Sequence, residues 1–164
     1  MKKHLINIIS LGICVTLLAG CQTQQKGKGK SVGSDIPLST IPADTFIDPP
    51  AEYRYIFRNI LFDFDSSAIR SDMKQSLNEV SSWLIDHQGI KVRMEGHCDE
   101  RGTEEYNLAL GERRALSVRA YLVQQGVSPQ RLFTVSYGEE RPANPGHNEF
   151  AWAENRRVEF KVSQ

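Results

Sequence analysis

Residues 92–122 constrain the fold of this chain more than any other stretch, because they join a strand pattern to a long helix pattern through a dense polar turn. Val92 and Met94 alternate with polar neighbours, as in a half-buried strand, and Gly96 ends the alternation. Thr103 is a predicted N-cap. The helix that follows is predicted to bury one face, whose small and apolar positions are spaced three or four residues apart: Leu108, Gly111, Ala115, Val118 and Leu122.

The same unit gathers polar side chains near the end of the strand. Asp99 follows the strand, and a second helix face carries Asn107, Leu110 and Arg114 at i, i+3 and i+7. A carboxylate, an amide and a guanidinium are suited to a small, charged, polar ligand. In a structural alternative, Asp99 caps the helix N-terminus and Arg114 is a solvated helix charge, since spacing alone does not show that the two side chains meet.

The rest of the chain continues the alternation of strand and helix patterns. Apolar residues at helical spacing predict a helix over 71–87, with Ser71 as its N-cap and Trp83 in its buried stripe. The other predicted elements are strands over 53–64, 90–96, 132–137 and 157–162 and helices over 103–125 and 148–155. The order β-α-β-α-β-(α)-β, with right-handed crossovers, predicts an α/β fold, an α+β sandwich whose helices pack on one face of a mixed sheet.

A longer signature spans Gly96 to Leu122 and has the form G-H-x-D-x-x-G-x-x-x-Y-N-x-x-L-x-x-x-R-A-x-x-V-x-x-x-L. It resembles the signature of the OmpA-like peptidoglycan-binding domain. The strings DERGTEEYN, LGERRA, SYGEERP and NRRVEF are also similar to the peptidoglycan-associated lipoprotein family of the Tol-Pal system. The resemblance covers roughly residues 58–162 and implies an OmpA-like domain that binds peptidoglycan non-covalently.

The resemblance also implies a ligand and a set of binding residues. Stem peptides of the wall carry meso-diaminopimelate, whose free end has an ammonium beside a carboxylate. Asp99 matches the family's partner for the ammonium, and Arg114, with its forked donors, matches the partner for the carboxylate. Four more matching positions complete the implied site: Asn107 and Leu110 on its helical wall, and Phe64 and Asp65 at its rim. Asp65 is alternatively a plain turn residue.

The first 50 residues have the composition of a leader and a tether. A basic start and an apolar segment too short for a comfortable membrane span end in Leu-Ala-Gly-Cys, which resembles the bacterial lipobox. The sequence therefore predicts a removed signal peptide over 1–20 and a lipidated Cys21. A plain secretory signal with a chance cysteine is the alternative. Residues 21–50 lack a hydrophobic period and are predicted to be a flexible tether, and 51–164 are predicted to be the peptidoglycan-binding domain.

The lipobox and the resemblance together imply a location and partners. Acyl chains on Cys21 anchor a chain to a bilayer without spanning it. By resemblance to enterobacterial lipoproteins, Gln22 in place of Asp favours the outer membrane. The resemblance implies a lipid-anchored protein on the periplasmic face of the outer membrane that docks to TolB and other Tol proteins and acts in envelope integrity and cell division. The alternative is another OmpA-family wall-binding lipoprotein with a different protein partner.

Composition and motifs argue against other functions. The 20 basic and 20 acidic residues balance, so no strong field for nucleic acid is expected. No nucleophile triad, phosphate loop or thiolate–base pair stands out, and Glu104 and Glu105 suit a solvated helix turn better than a glycosidase acid pair. We therefore predict no catalytic residues and no cofactor. The run His97-Cys98-Asp99 lacks further ligands at metal spacing, so no metal site is predicted.

Overall fold

The computed structural model describes residues 46–163. The predicted signal peptide, the predicted lipidation at Cys21 and most of the predicted tether lie outside these residues. Within them, no helix combines the length and the apolarity needed to cross a bilayer. In chain order, the strands and α-helices are β1 (Phe46–Ile47), β2 (Ile60–Leu61), α1 (Lys74–Asp86), β3 (Val92–His97), α2 (Glu104–Gln124), β4 (Leu132–Gly138), α3 (Glu149–Asn155) and β5 (Arg157–Ser163).

The strands of the described region form one mixed sheet. Its order is β1, β5, β3, β4, and β2 also pairs with β5. Strand β3 runs parallel to β4 and antiparallel to β5, whereas β1 and β2 are both antiparallel to β5. Helix α2 connects the parallel pair, as a crossover must. The predicted α/β fold with a mixed sheet is therefore confirmed.

Helices α1 and α2 pack on one face of the sheet. Alternate residues of β3 and β5 are buried beneath them, in a core that includes Val92, Met94, Val158, Phe160, Leu77, Leu84, Val118 and Leu122. The intervening residues of the same strands lie on the opposite, open face and are charged: Arg93, Glu95, Arg157, Glu159 and Lys161. The period of two along each strand thus separates an apolar face from a charged one.

Helix α2 approaches β3 closely because both elements carry glycine where they meet. A Cβ on Gly96 would lie 2.0 Å from the carbonyl oxygen of Gly111, and a Cβ on Gly111 would lie 2.3 Å from Ser136 Oγ. A larger residue at either position therefore requires the backbone or its neighbour to move. The contact places the first half of α2 beside the end of β3, where the predicted site lies.

The prediction of a strand over 53–64 is wrong for most of that stretch. Its start is a 3-10 turn, and only Ile60–Leu61 pairs with β5. Tyr53, Ile56 and Phe57 recur at helical spacing rather than alternating, and the backbone N–H groups of Ile56 and Phe57 both donate to the Tyr53 carbonyl. Their rings and methyl groups therefore reach the core from a compact turn instead of a strand.

Other local predictions differ from the structure at single residues. Ser71 does not cap α1, which follows a 3-10 turn and begins behind Met73 without a side-chain cap. Thr103 does cap α2, since its Oγ1 accepts a hydrogen bond from the Tyr106 backbone N–H at 3.2 Å. Leu108, which was predicted to be buried, is 49% exposed. Strand β1 pairs with β5 although its residues were assigned to the tether.

Candidate functional site

A cavity of about 230 Å³ lies where the β3–α2 turn, the first half of α2 and the loop after β2 meet. All six residues expected to bind peptidoglycan line it: Asp99, Arg114, Asn107, Leu110, Phe64 and Asp65. Four lining residues had no assigned role: Cys98, Arg101, Gly102 and Tyr106. The fold therefore brings residues from before α1 and after β3 to one place.

Asp99 directly follows β3, and its side chain is only 4% exposed. Its Oδ1 accepts hydrogen bonds from the backbone N–H and the Nε of Arg101, both at 3.1 Å. Its Oδ2 accepts from Arg101 Nη2 at 2.7 Å and from Arg156 Nη1 at 3.2 Å. Burial by itself raises the pKa of Asp99, but these bonds outweigh it and hold the pKa below its ordinary value. Asp99 is thus an ionised carboxylate at neutral pH, and it does not cap α2.

Arg114 is buried, although the alternative drawn from the sequence made it a solvated charge. Its guanidinium donates to four acceptors: Ser66 O at 2.8 Å, His97 O at 2.9 Å, Asp63 O at 3.2 Å and Cys98 Sγ at 3.3 Å. Burial lowers the pKa of Arg114, yet arginine keeps its charge in proteins. No hydrogen bond or ion pair joins Arg114 to Asp99 within the described residues, so the two charges border the cavity separately.

Asn107 holds the turn between β3 and α2. Its Nδ2 donates to the carbonyl oxygens of Asp99 and Arg101, each at 3.2 Å, and to the carboxylate of Glu139. These bonds tie the turn to the first part of the helix. Leu110 lies one helical turn further on and adds a buried apolar surface to the cavity.

The rim of the cavity is aromatic. Phe64 is 57% exposed, and its ring lies 4.1 Å from the guanidinium carbon of Arg101, which also lies 4.2 Å from the Trp152 ring. The Tyr106 hydroxyl donates to Asp65 Oδ1, and Asp65 adopts a left-handed φ of 52°. Asp65 is therefore both a turn residue and a residue of the rim.

Three residues have roles that the sequence did not indicate: Arg101, Tyr106 and Arg156. Tyr106 stands in the signature, and Arg156 stands in the string NRRVEF, but neither string shows which side chains meet across the fold. Arg156, which lies between α3 and β5, reaches Asp99 from 57 positions away in sequence. Only the antiparallel pairing of β5 with β3 brings it there.

Cys98 is buried beside the two main charges of the cavity. Its thiol donates to the Asn107 carbonyl oxygen at 3.2 Å, and its sulfur accepts from Arg114 Nη1. Burial raises the pKa of the Cys98 thiol above its ordinary value. The side chain is therefore a neutral thiol at neutral pH, and it fills space between strand and helix.

A group of possible metal ligands lies elsewhere, on the open face of the sheet. Single ligand atoms of Glu95, His97 and Glu159 come within 4.8 Å of one another. Arginines hold both carboxylates, Arg93 with Glu95 and Arg157 with Glu159, each at 2.6 Å. A divalent cation there has to compete with these two cations, and the cavity described above contains none of the three ligands.

Residues 61–156 match the OmpA family. The chain belongs to the OmpA family. The peptidoglycan-associated lipoprotein of Pseudomonas aeruginosa is 41% identical over 159 residues, which cover 93% of this chain and 94% of that protein. The corresponding lipoprotein of Legionella pneumophila is 52% identical over 100 residues, or 61% of this chain and 57% of that protein. Within the OmpA family, this chain groups with the peptidoglycan-associated lipoproteins, as the signature predicted.

Two solved structures have the same fold as residues of this chain. The peptidoglycan-associated lipoprotein of Burkholderia pseudomallei superimposes with a TM-score of 0.63 at 40% identity, over 65% of this chain and 90% of that one. The C-terminal domain of MotB from Helicobacter pylori gives a TM-score of 0.60 at 26% identity, over 65% of this chain and 84% of that domain.

Proposed function

We propose that this chain links the outer membrane to the cell wall by binding the free end of meso-diaminopimelate in the cavity between β3 and α2. The observation that carries the proposal is the lining of that cavity, in which a buried carboxylate and a buried guanidinium stand on separate walls. A volume of about 230 Å³ suits one amino-acid end group. Pockets for drug-sized ligands are larger, roughly 300–1,000 Å³.

The two charges of the cavity match the two charged groups at the free end of the ligand. The ligand ammonium pairs with Asp99, whose lowered pKa keeps it ionised across the neutral range. The ligand carboxylate pairs with Arg114. Its four hydrogen bonds use four of the five N–H groups of a guanidinium, so one N–H on Nη2 remains as a donor. Leu110 packs against the methylene carbons that join this charged end to the rest of the stem peptide.

The same features support binding without catalysis. A glycosidase needs two carboxylates in unlike environments, one of them protonated. The buried carboxylate of this cavity has a lowered pKa, which makes it a poor proton donor at neutral pH. The other carboxylate, Asp65, is hydrogen-bonded to Tyr106 at the rim. The cavity therefore suits recognition of a zwitterion better than acid–base chemistry.

Membrane attachment and partners complete the proposal. Lipidation at Cys21 anchors the chain to the outer membrane, and residues 22–45, which precede β1, give the domain a reach of up to ~80 Å when fully extended. Membership of the peptidoglycan-associated lipoproteins supports docking to TolB and other Tol proteins and a role in cell division. A wall-binding lipoprotein with another protein partner remains the second candidate, since the cavity carries no information about that partner.

The test is cosedimentation of a soluble chain of residues 22–164 with sacculi that contain meso-diaminopimelate. Asp99→Asn keeps the shape of the side chain and removes its charge, so the ligand ammonium loses its ionised partner. We expect binding to weaken at least tenfold, because removing one member of a buried charge pair costs about 2–5 kcal/mol. Glu104→Gln is the matched control, because it removes one exposed carboxylate from the first turn of α2 and is expected to bind like the parent.

Two results contradict the proposal. One is Asp99→Asn binding sacculi as well as the parent while circular dichroism shows a native fold. The other is a parent chain that binds lysine-type sacculi equally well, because lysine supplies the ammonium but not the neighbouring carboxylate. Either result would show that this cavity is not the site at which the chain recognises the diaminopimelate of the wall.

A further inference from the structure

The carboxylate that is proposed to receive the ligand ammonium is already occupied by a cation of the chain itself. Arg101 binds Asp99 through two parallel hydrogen bonds, Nε to Oδ1 at 3.1 Å and Nη2 to Oδ2 at 2.7 Å. This bidentate arrangement uses both carboxylate oxygens. An ammonium that enters the cavity therefore meets a carboxylate whose hydrogen-bonding capacity is largely taken.

Two arginines bind Asp99, and of these two only Arg101 is exposed enough to move away from the carboxylate. The Arg156 side chain is 7% exposed and is also held by the Phe62 carbonyl oxygen and by Glu149 at 2.8 Å. The Arg101 side chain is 31% exposed and borders the cavity. Besides Asp99, its guanidinium contacts Glu149 Oε2 at 3.5 Å. Arg101 therefore has a second carboxylate within reach when it releases the first.

The charge count around Asp99 favours exchange over addition. Asp99 and Glu149 carry two negative charges, and Arg101 and Arg156 carry two positive charges, so the cluster is neutral. An ammonium added to Asp99 gives this one buried carboxylate three cationic partners, and the third is left without a counter-charge of its own, which is costly away from water. An ammonium that takes the place of Arg101 leaves Asp99 with two cationic partners, as before, because Arg101 moves toward solvent and the exposed Glu149.

Two aromatic rings contact the Arg101 guanidinium and can hold it both before and after it leaves Asp99. The guanidinium lies between the rings of Phe64 and Trp152, at 4.1 and 4.2 Å. Stacking on two aromatic rings favours a cation whether or not it also touches Asp99. The aromatic pair thus keeps the displaced guanidinium at the rim of the cavity.

We propose that Arg101 is a built-in competitor of the ligand, whose guanidinium occupies Asp99 in the empty site and yields it to the ligand ammonium. This proposal rests on the proposed function and adds a determinant of affinity and selectivity to the same site. A ligand without a free ammonium cannot displace Arg101, so the residue rejects wall peptides whose diaminopimelate amine is blocked or already cross-linked.

Isothermal titration of the soluble chain of residues 22–164 tests the competition. The probe is the stem tetrapeptide that contains meso-diaminopimelate. It is used with the free amine of the diaminopimelate side chain intact and with that same amine acetylated. Arg101→Met removes the competing charge and keeps an apolar stem between the two rings. We expect the intact peptide to bind roughly two- to fivefold more tightly, the range expected for loss of a partly exposed bidentate pair. No gain is expected for the acetylated peptide.

Arg58→Met is the matched control. It removes the same charge from an exposed arginine that is paired with Glu79 on α1, and Arg58 does not line the cavity. Weaker or unchanged binding of the intact peptide to Arg101→Met overturns the competition, because Arg101 then contacts the ligand or has no part in binding. An equal gain for the acetylated peptide overturns it too. If neither the parent nor Arg101→Met binds the intact peptide, the proposed function fails, and the competition fails with it.

Discussion

His97 makes the stability of the domain sensitive to mild acid. The residue ends β3 on the open face of the sheet and is 1% exposed, and neither ring nitrogen has a hydrogen-bond partner among the described residues. Its ring packs on Tyr137 at 5.6 Å between centroids. Burial lowers the pKa of His97 from 6.5 to about 4, and nearby charges modify the effect, with Glu159 raising the pKa and the cations lowering it: Arg157, Arg141 and Lys161.

The sign and size of the effect follow from proton linkage. Between pH 6.5 and about 4, the unfolded chain binds a proton at His97 and the folded chain does not. The free energy of unfolding therefore falls as the pH drops through this window and stops falling, for this residue, below about pH 4. A pKa drop from 6.5 to about 4 corresponds to a total loss of about 3 kcal/mol. About 2 kcal/mol of that loss is expected by pH 4.5.

Urea unfolding followed by tryptophan fluorescence, at several pH values from 7 to 4.5, measures this loss. His97→Gln and His97→Met remove the titrating group. The free energy of unfolding that each variant still loses between pH 7 and 4.5 is therefore expected to come from the carboxylates, with less than about 0.5 kcal/mol unaccounted for. Both variants share all carboxylates with the parent, and subtracting their curves from the parent curve isolates His97. His147→Gln is the comparison variant: His147 is 79% exposed and pairs with Glu100 at 2.7 Å, so any change of slope that it causes reports on a surface pair and not on a buried imidazole.

The predicted effect of His97 is wrong if both His97 variants lose stability over this window as steeply as the parent. That result would mean that the imidazole takes up a proton in the folded state as readily as in the unfolded chain. It would also mean that Glu95 and Glu159 supply enough negative potential to outweigh burial and the surrounding cations. A steeper slope in the variants than in the parent would contradict the sign as well as the size.

Two further predictions concern the helix that carries the site, and the same urea titration at neutral pH measures both. Gly96→Ala places a methyl group 2.0 Å from the Gly111 carbonyl oxygen and should cost ~3 kcal/mol or more, whereas Gly89→Ala, with nothing within 4 Å, should change stability by less than about 0.5 kcal/mol. Equal effects of the two substitutions would show that α2 is free to move away from β3. Thr103→Ala removes the N-cap bond to Tyr106 and should cost ~1 kcal/mol, while Thr103→Ser should restore most of it.

Elements with a strong local period were predictable from the sequence, and elements defined by their partners were not. Strand β5 and helix α1 each repeat one pattern over several residues, so their type follows from local sequence. Strands β1 and β2 are two residues long and exist only because each finds a free edge of β5. Nothing within a stretch of two residues can indicate that pairing.

The site divides in the same way. Asp99, Asn107, Leu110 and Arg114 belong to one strand–turn–helix unit, so their spacing was enough to group them. The partners that set their chemistry come from elsewhere in the fold. Arg156 depends on the pairing of β5 with β3, and the carbonyls that hold Arg114 depend on the path of the loop after β2. The sequence therefore predicts which side chains gather, but not which charges are already satisfied.

That distinction determines which of the two buried charges reports on binding. Arg114 binds carbonyl oxygens of the loop after β2 and of β3, so it holds two segments of the fold together as well as bordering the cavity. Removing it leaves buried carbonyls without donors, which costs about 1–3 kcal/mol each, and a loss of binding then does not separate recognition from folding. Asp99 is held by side chains and one local N–H. Asp99→Asn keeps an acceptor for them, and for this reason Asp99 gives the clearer test of the ligand site.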